Sequence, residues 1–394
     1  MNFDSLDAEE LWNEPGLRIA LVTETYPPEI NGVAMTLQRM VKGLIERGHR
    51  VQLIRPRQAP EDEPQVERAF DEVLARAWKL PRYEGLHLGL PARTRLQRLW
   101  RRQRPDIVHV ATEGPLGWSA VSAARKLRIP VTSDFHTNFD HYSRHYGVGW
   151  LRKPVSAYLR GFHNRTARTF VPTAAMAAEL GGSGYRWVDV IARGVDTTLY
   201  DPARRDAMLR EAWKVARDEL VVLYVGRLAA EKNLPLALQA FRAIQASQPK
   251  VRLVLVGDGP MRAALARDNP DCVFAGMRTG EDLARHYASA DLFLFPSLTE
   301  TFGNVTLEAM ASGLCVVAFD HAAAADVIRD GESGVLAEYG DGQGFIRAAA
   351  QVAGEPARRA RIGAEARRAA SALDWGAIND RFAAALLEVW KEAQ

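Results

Sequence analysis

Apolar residues fall into two recurring patterns along the chain, short unbroken runs and stripes at helical spacing. Residues 17–22 form such a run and predict a buried strand. Beyond a proline-rich turn, Leu37, Met40, Val41, Leu44 and Ile45 recur at i, i+3, i+4, i+7 and i+8, one face of a helix. Gly48 ends that helix, and 51–54 follows as a second strand. Strand, helix and strand in that order predict a right-handed parallel crossover. Residues 106–110 and 129–132 read as further strands, with a helix over about 119–127 between them. The stretch 58–66, rich in proline and acidic residues, reads as a surface loop.

The second half repeats the theme with longer runs. Strands are predicted at 220–225, 251–256, 291–295 and 315–318, separated by helical patterns at 235–244, 261–266, 283–289 and 305–312. Such alternation implies a parallel sheet covered on both faces. A boundary near 196–202 divides the chain, and a final helix, about 378–392, stands apart beyond 371–376. The expected organisation is an N-terminal α/β domain over 1–198, a second over 199–374, and a C-terminal segment 375–394.

Composition narrows the class. A chain of 394 residues with 47% apolar and 25% charged residues has the balance of a soluble globular protein, long enough for two domains. No apolar run reaches the roughly 18–20 residues that a membrane span needs. The acidic, polar N-terminus is unlike a secretory signal. Cys272 and Cys315 lie in apolar stretches and read as core residues, too few for a disulfide framework or a four-thiolate metal site. The expected compartment is the cytoplasm. Net charge is only +3, but positive charge concentrates in segment 93–104, which carries Arg93, Arg95, Arg98, Arg101, Arg102 and Arg104. At about 100° per residue, Ala92, Leu96, Leu99 and Trp100 share one arc there. Two readings fit: a helix lying on an anionic membrane, with a cytoplasmic-face association, or a helix packed on its own sheet with solvated arginines.

In open α/β sheets ligands bind beyond the carboxyl ends of the strands, and the chemistry-bearing residues lie there. The strand ending at Val225 runs into Gly226, which allows close backbone approach, and then Arg227 and Lys232. Two cations so placed suit a diphosphate, although alone they also fit a solvated loop. The strand ending at Phe295 leads to Glu300, Phe302, Gly303 and Asn304, and a helix follows that contains Glu308. Free N–H groups at the start of that helix offer an anion site, and a carboxylate beside it accepts from sugar or ribose hydroxyls. Each glutamate alone is equally explained by the favourable field of a helix N-terminus. No acidic or histidine cluster has metal-ligand spacing, so no metal cofactor is expected. No G-x-G-x-x-G follows the first strand, which argues against a dehydrogenase.

Gly226-Arg227 with Lys232, Gly257-Asp258-Gly259-Pro260, and Glu300 with Glu308 followed by Ala309 to Gly313 occur in one order and spacing. Together with Thr25 to Pro28, Gly32-Val33, Phe135-His136-Thr137 and Gly194-Val195-Asp196 they resemble the GT4-type retaining glycosyltransferases over about 17–390. The resemblance implies the GT-B fold, two Rossmann-like α/β domains facing across a cleft, with the final helix crossing back to the first domain. It implies a metal-independent transfer of a hexosyl group, of mannose or glucose type, from a GDP- or UDP-linked sugar to an acceptor hydroxyl. By the same resemblance Arg227 and Lys232 hold the diphosphate, Glu308 the ribose, and Glu300 the sugar hydroxyls. Gly32 sits on a loop approaching the phosphates and the acceptor, and His136 lines the sugar side, unless His136 is a core histidine. Gly226, Phe302, Gly303 and Asn304 complete the donor site.

Two positions depart from the family pattern. Cys315 stands where proline is usual, and His321 to Asp326 replaces a Gly-Gly-x-x-Glu loop facing the donor. That loop resembles a subgroup of mannosyl- and sulfoquinovosyl-transferases of glycolipid synthesis, which points to a lipid acceptor such as diacylglycerol or a glycolipid. A soluble sugar or polysaccharide acceptor is the alternative, and nucleic acid is not an expected partner. A nucleotide-sugar epimerase, a sugar phosphorylase or a non-catalytic nucleotide-sugar binder would be rivals on a similar fold. The last would have lost one of Arg227, Lys232, Glu300 and Glu308, and all four are present.

Overall fold

The apolar runs become the centres of two parallel sheets, and the stripes become the helices that cover them. A computed structural model describes residues 16–29, 31–79, 87–135, 152–299 and 303–394. The chain divides into two α/β units, one containing the described chain up to Ala192 together with Trp375–Gln394, the other Arg193–Asp374.

The first unit runs β1 (Arg18–Val22), α1 (Gly32–Glu46), β2 (Arg50–Pro56), β3 (Val66–Glu67), β4 (Phe70–Ala75), β5 (Ala77–Lys79), β6 (His87–Gly89), α2 (Arg93–Arg102), β7 (Ile107–Val110), α3 (Pro115–Lys126), β8 (Val131–Asp134), α4 (Arg152–His163), β9 (Arg168–Val171), α5 (Ala174–Gly182) and β10 (Val188–Val190). Its main sheet has the order β10-β9-β8-β7-β1-β2-β4-β3, parallel except for β3, while β5 and β6 form a separate antiparallel pair. Asn31 caps α1 by accepting from Ala34 N–H at 2.8 Å, and Leu37, Met40, Val41 and Leu44 bury the predicted stripe. In α2 the arc also packs inward. Leu96 and Trp100 are buried beside β7 and α3 residues, and Trp100 Nε1 donates to Gln52 Oε1 at 3.1 Å. All six arginines of 93–104 are exposed.

The second unit continues with α6 (Ala207–Ala212), β11 (Val221–Val225), α7 (Leu234–Ser247), β12 (Arg252–Val256), α8 (Arg262–Asp268), β13 (Val273–Gly276), α9 (Gly280–Ala288), β14 (Leu292–Phe295), α10 (Asn304–Ala311), β15 (Cys315–Phe319), α11 (Ala322–Val327), β16 (Val335–Ala337), α12 (Gly342–Ala353) and α13 (Pro356–Ser371). Its sheet is wholly parallel, in the order β13-β12-β11-β14-β15-β16. Every residue of β11, β14 and β15 is buried, as expected of strands covered on both faces. Cys272 and Cys315 are buried free thiols, and desolvation pushes them up to about 11 and about 12.

The units change over between Ala192 and Arg193, where the sequence reading put the division between 198 and 199. Val195 belongs with the second unit because its N–H donates to Leu373 O at 2.9 Å and it bridges Asp374 in parallel fashion. The final helix, α14 (Trp375–Glu392), packs on α1 of the first unit. Gly43 permits that approach, since a Cβ there would collide with the Asn379 side chain. Arg47 fastens the pair, donating to Asp380 at 2.7 Å and Gly376 O at 2.6 Å. No described helix is long and apolar enough to cross a membrane.

Candidate functional site

Ligands of open parallel sheets bind where the strand order reverses. In the second unit the chain runs outward from β11 through β12 to β13, then returns to β14 on the other side of β11. The reversal therefore lies between β11 and β14, and the loops leaving these two strands are the ones that carry Arg227 and Lys232 and the segment leading to Glu308.

The β11 loop is held from below by a glycine turn. Gly226 N–H donates to Val256 O, Leu228 N–H to Asp258 O and Met261 N–H to Leu228 O, at 2.9–3.0 Å. A Cβ at Gly257 would strike Gly226 O, and one at Gly259 would strike Leu228 O. Both glycines also have positive φ, 131° and 156°, so the Gly257-Asp258-Gly259 motif is required by this contact. It shapes the loop that presents Arg227. The Arg227 side chain is 63% exposed and only loosely paired with Glu231, at 3.7 Å. A pair so long and so wet contributes little, and the guanidinium is cheaply exchanged onto an anion. Lys232 closes a short 3-10 turn, and Asn233 enters α7 in the left-handed conformation.

Two bonds tie this loop to the β14 loop. Asn233 Nδ2 donates to Pro296 O at 3.2 Å, and Thr299 Oγ1 to Glu231 O at 3.2 Å. Gly303 forms the N-cap of α10 with φ 88° and makes no side-chain cap. Asn304 is the first residue of that helix. Its leading N–H groups have no intrahelical partner and stand at the positive end of the helix dipole, an arrangement that suits an anion. Glu308 lies on the second turn, half-buried. Its Oε2 accepts from the hydroxyl of the fully buried Tyr287 at 2.9 Å, and Tyr200 bonds the same carboxylate. Burial raises Glu308 above the ordinary carboxylate value, and the two hydroxyls pull it back down. Burial, then the adjacent carboxylate, hold Tyr287 well above the usual phenol range, so its hydroxyl remains a donor.

Gly226, Arg227, Lys232, Gly303, Asn304 and Glu308 thus come together at one switch point. Gly32 is placed in the first unit, exposed at the start of α1, and a Cβ on it would meet nothing within 4 Å. Glu300, Phe302 and His136 lie outside the described residues. The departing segment after β15 places His321 against the Tyr339 ring, centroids 4.7 Å apart, and enters α11 through Ala322 at φ 52°. Among the described residues no group of three or more His, Cys, Asp or Glu is arranged to hold a metal ion. Sequence reasoning missed Asn233, Thr299, Tyr200 and Tyr287. For Asn233 a signal existed, a left-handed-tolerant residue two before Pro235 at a helix start.

Comparison with known proteins identifies this architecture. Residues 30–199 match the family model Glycosyltransferase Family 4, and 219–355 match Glycosyl transferases group 1. The chain belongs to the GT4 family of glycosyltransferases, and its fold is GT-B. It is 34% identical over 368 residues to a GDP-mannose-dependent alpha-mannosyltransferase of Mycobacterium tuberculosis, covering 93% of this chain and 95% of that one. It is 30% identical over 396 residues to the sulfoquinovosyl transferase SQD2 of Arabidopsis thaliana, with 97% and 76% covered. Among solved structures, sucrose-phosphate synthase from Thermosynechococcus elongatus superposes with TM-score 0.78 at 19% identity, over 95% of this chain and 100% of that one. Anabaena HepE in complex with UDP and glucose does so with TM-score 0.72 at 20% identity, over 94% and 99%. These structures share the fold. The protein is a nucleotide-sugar-dependent hexosyltransferase.

Proposed function

We propose that the chain is a retaining transferase that moves a mannosyl or glucosyl group from a nucleoside-diphosphate sugar, GDP-mannose foremost, to a hydroxyl of a membrane lipid such as diacylglycerol or a glycolipid. The observation that carries this reading is the switch point itself, where Arg227, Lys232 and the α10 N-terminus converge beside Glu308. Arg227 and Lys232 take the diphosphate, Glu308 accepts from the ribose hydroxyls, and Gly226 and Gly303 let backbone approach the phosphates. Glu300 and His136 serve the sugar, Phe302 and Asn304 complete the donor site, and Gly32 serves the acceptor side. The name of the M. tuberculosis relative supports GDP-mannose as donor. For the lipid acceptor the support is twofold: alpha-monoglucosyldiacylglycerol synthase of Streptococcus pneumoniae is also a relative, 27% identical over 340 residues, and α2 turns its exposed arginines outward.

In the reaction the C1–O bond to the β-phosphate breaks and a bond from C1 to the acceptor oxygen forms on the same face. Charge grows on the departing diphosphate, so fixed cations and helix N–H groups aimed there stabilise the transition state more than the ground state. The acceptor proton passes to a phosphate oxygen of the leaving group, which removes the need for a carboxylate base. The test is a panel of GDP- and UDP-sugars incubated with diacylglycerol micelles, with and without excess EDTA, with product configuration read by NMR. An α-linked product from an α-linked donor, formed equally in EDTA, is expected. An inverted product overturns retention, and loss of activity in EDTA restored by Mn²⁺ overturns metal independence.

A further inference from the structure

Glu308 depends on two hydroxyls that reach it from different parts of the chain. Tyr287 stands on α9, a regular helix, whereas Tyr200 stands in the turn that opens the second unit, just past the crossing at 192–193. Asp196 supplies the local ties of that turn. Its carbonyl accepts from Tyr200 N–H at 2.9 Å, and its Oδ1 accepts from the N–H groups of Thr198 and Leu199 at 3.2 and 2.9 Å. Other carbonyls of the turn are met from α13. Arg367 Nη1 donates to Tyr200 O at 2.7 Å, and its Nη2 donates to Thr197 O at 2.9 Å and to Asp201 Oδ2 at 2.8 Å.

The same guanidinium closes the helix that carries Glu308. A helix leaves its last four carbonyls without intrahelical partners. In α10 those of Glu308, Ala309 and Met310 accept from the N–H groups of Ser312, Leu314 and Gly313 at 2.9–3.0 Å, and that of Ala311 accepts from Arg367 Nη1 at 2.8 Å. One half-buried side chain therefore grips both the backbone of Tyr200 and the end of α10. Tyr200 acts as a rigid lever between them. Its ring packs edge to face on Tyr287, centroids 5.6 Å apart, and its hydroxyl bonds Glu308, so a shift of its backbone is carried to the carboxylate. Hydrogen bonds weaken steeply with misalignment, so an acceptor of ribose hydroxyls has to be aimed. We propose that Arg367 is a positioning residue for the donor, holding Tyr200 and α10 so that Glu308 faces the ribose, and thereby setting a preference for ribose over deoxyribose. The proposal rests on the reading of Glu308 as the ribose acceptor. Only a planar fork of donors spans these four acceptors, which a lysine cannot do.

Calorimetry on the full chain reads this preference directly, with GDP and UDP and the 2′-deoxy and 3′-deoxy forms of each. The parent should bind at least one deoxy form about ten-fold or more weakly than its ribonucleotide, the scale of one charge-assisted bond. Arg367→Gln should lose most of that ratio, while affinity for inorganic pyrophosphate, which reports Arg227 and Lys232, stays as in the parent. In a Glu308→Gln background the same change should cost the ribonucleotide no further affinity, because a residue acting through another is not additive with it. Arg367→Lys, which keeps the charge without the fork, should fall between parent and Arg367→Gln. Arg242→Lys breaks comparable bonds to Asn269 and Asp271 at the amino end of β13 and should leave the ratio unchanged. A cooperative melt shows that each variant is folded; where Arg367→Gln is not, the lysine variant decides. A parent that does not distinguish ribose from its deoxy forms ends the ribose assignment of Glu308, and the proposal with it. A parent that does, beside an Arg367→Gln protein with the same ratio or with both nucleotides weakened alike, overturns the role of Arg367 alone.

Discussion

Glu308 is the site residue whose surroundings make the sharpest demand. Its carboxylate is packed against Tyr287 and Tyr200, and if it also accepts from ribose hydroxyls, it must be ionised to do so well. Glu308→Gln keeps the shape and the Tyr287 contact, at 2.9 Å in the parent, but removes the charge. One charge-assisted hydrogen bond is worth about 1.5–3 kcal/mol, so the variant should bind nucleoside diphosphate about 10- to 150-fold more weakly by calorimetry. Tyr287→Phe should act by the opposite route. It strips a donor from a buried carboxylate, raises Glu308 further, and destabilises the fold at neutral pH by about 1–3 kcal/mol. The pH dependence follows from the direction of the shift. Because the folded-state value of Glu308 is raised above its ordinary 4.5, the folded protein holds the proton more tightly than the unfolded chain. That contribution to stability is present below the ordinary value and is lost as pH rises through the raised one. Nucleotide affinity runs the other way, falling as pH drops through the raised value, earlier than for an exposed carboxylate. Glu308→Gln should flatten both profiles. Unchanged nucleotide affinity in Glu308→Gln would refute the ribose assignment, and a Tyr287→Phe protein as stable as the parent would refute the support assigned to the tyrosine.

Arg227→Ala and Lys232→Ala should each lower kcat/KM by about 10- to 150-fold, the loss of one charge-assisted bond to the diphosphate; near-native activity in both ends that assignment. On the membrane side, changing Arg98, Arg101 and Arg102 to Gln should weaken cosedimentation with phosphatidylglycerol liposomes by about two orders of magnitude, at roughly 1 kcal/mol per arginine. The parent's binding should also fall with added salt, and a parent chain that ignores anionic liposomes at low salt refutes the membrane role of α2.

What could be read from the sequence depended on where burial is achieved with apolar side chains. β11, β14 and β15 are buried at every position, so their apolar runs announce them. β4, next to the two-residue edge strand β3 of its sheet, is mostly buried too but carries Asp71 and Glu72. Glu72 is buried only because Arg55, 17 residues earlier in β2, pairs with it at 2.6 Å, a compensation invisible to periodicity. α13 fails to show a stripe for a different reason. Its buried face is Ile362, Gly363, Ala366 and Ala370, and small residues are needed there because Gly363 abuts the carbonyl of Gly313. Small side chains at a close contact look, in sequence, like no pattern at all.

The site divides along the same line. Arg227, Lys232, Gly303 and Asn304 could be picked out because each follows closely on a strand or opens a helix, and local sequence marks both. That they meet could not, since adjacency depends on strand order. The apolar runs indicate that β11 and β14 exist, while only the return of the chain past β11 makes them neighbours. Loops some seventy residues apart are then tied through Asn233 to Pro296 and Thr299 to Glu231. Tyr200 and Tyr287 are hidden for the further reason that a buried aromatic, whether in a connection like Tyr200 or in a helix like Tyr287, reads as core, and in their rings they are: the two pack edge to face at 5.6 Å. Only their hydroxyls serve Glu308. A side chain with an apolar body and one polar tip can belong to the core and to the site at once, so residues of this kind should be sought behind any carboxylate that a switch point buries.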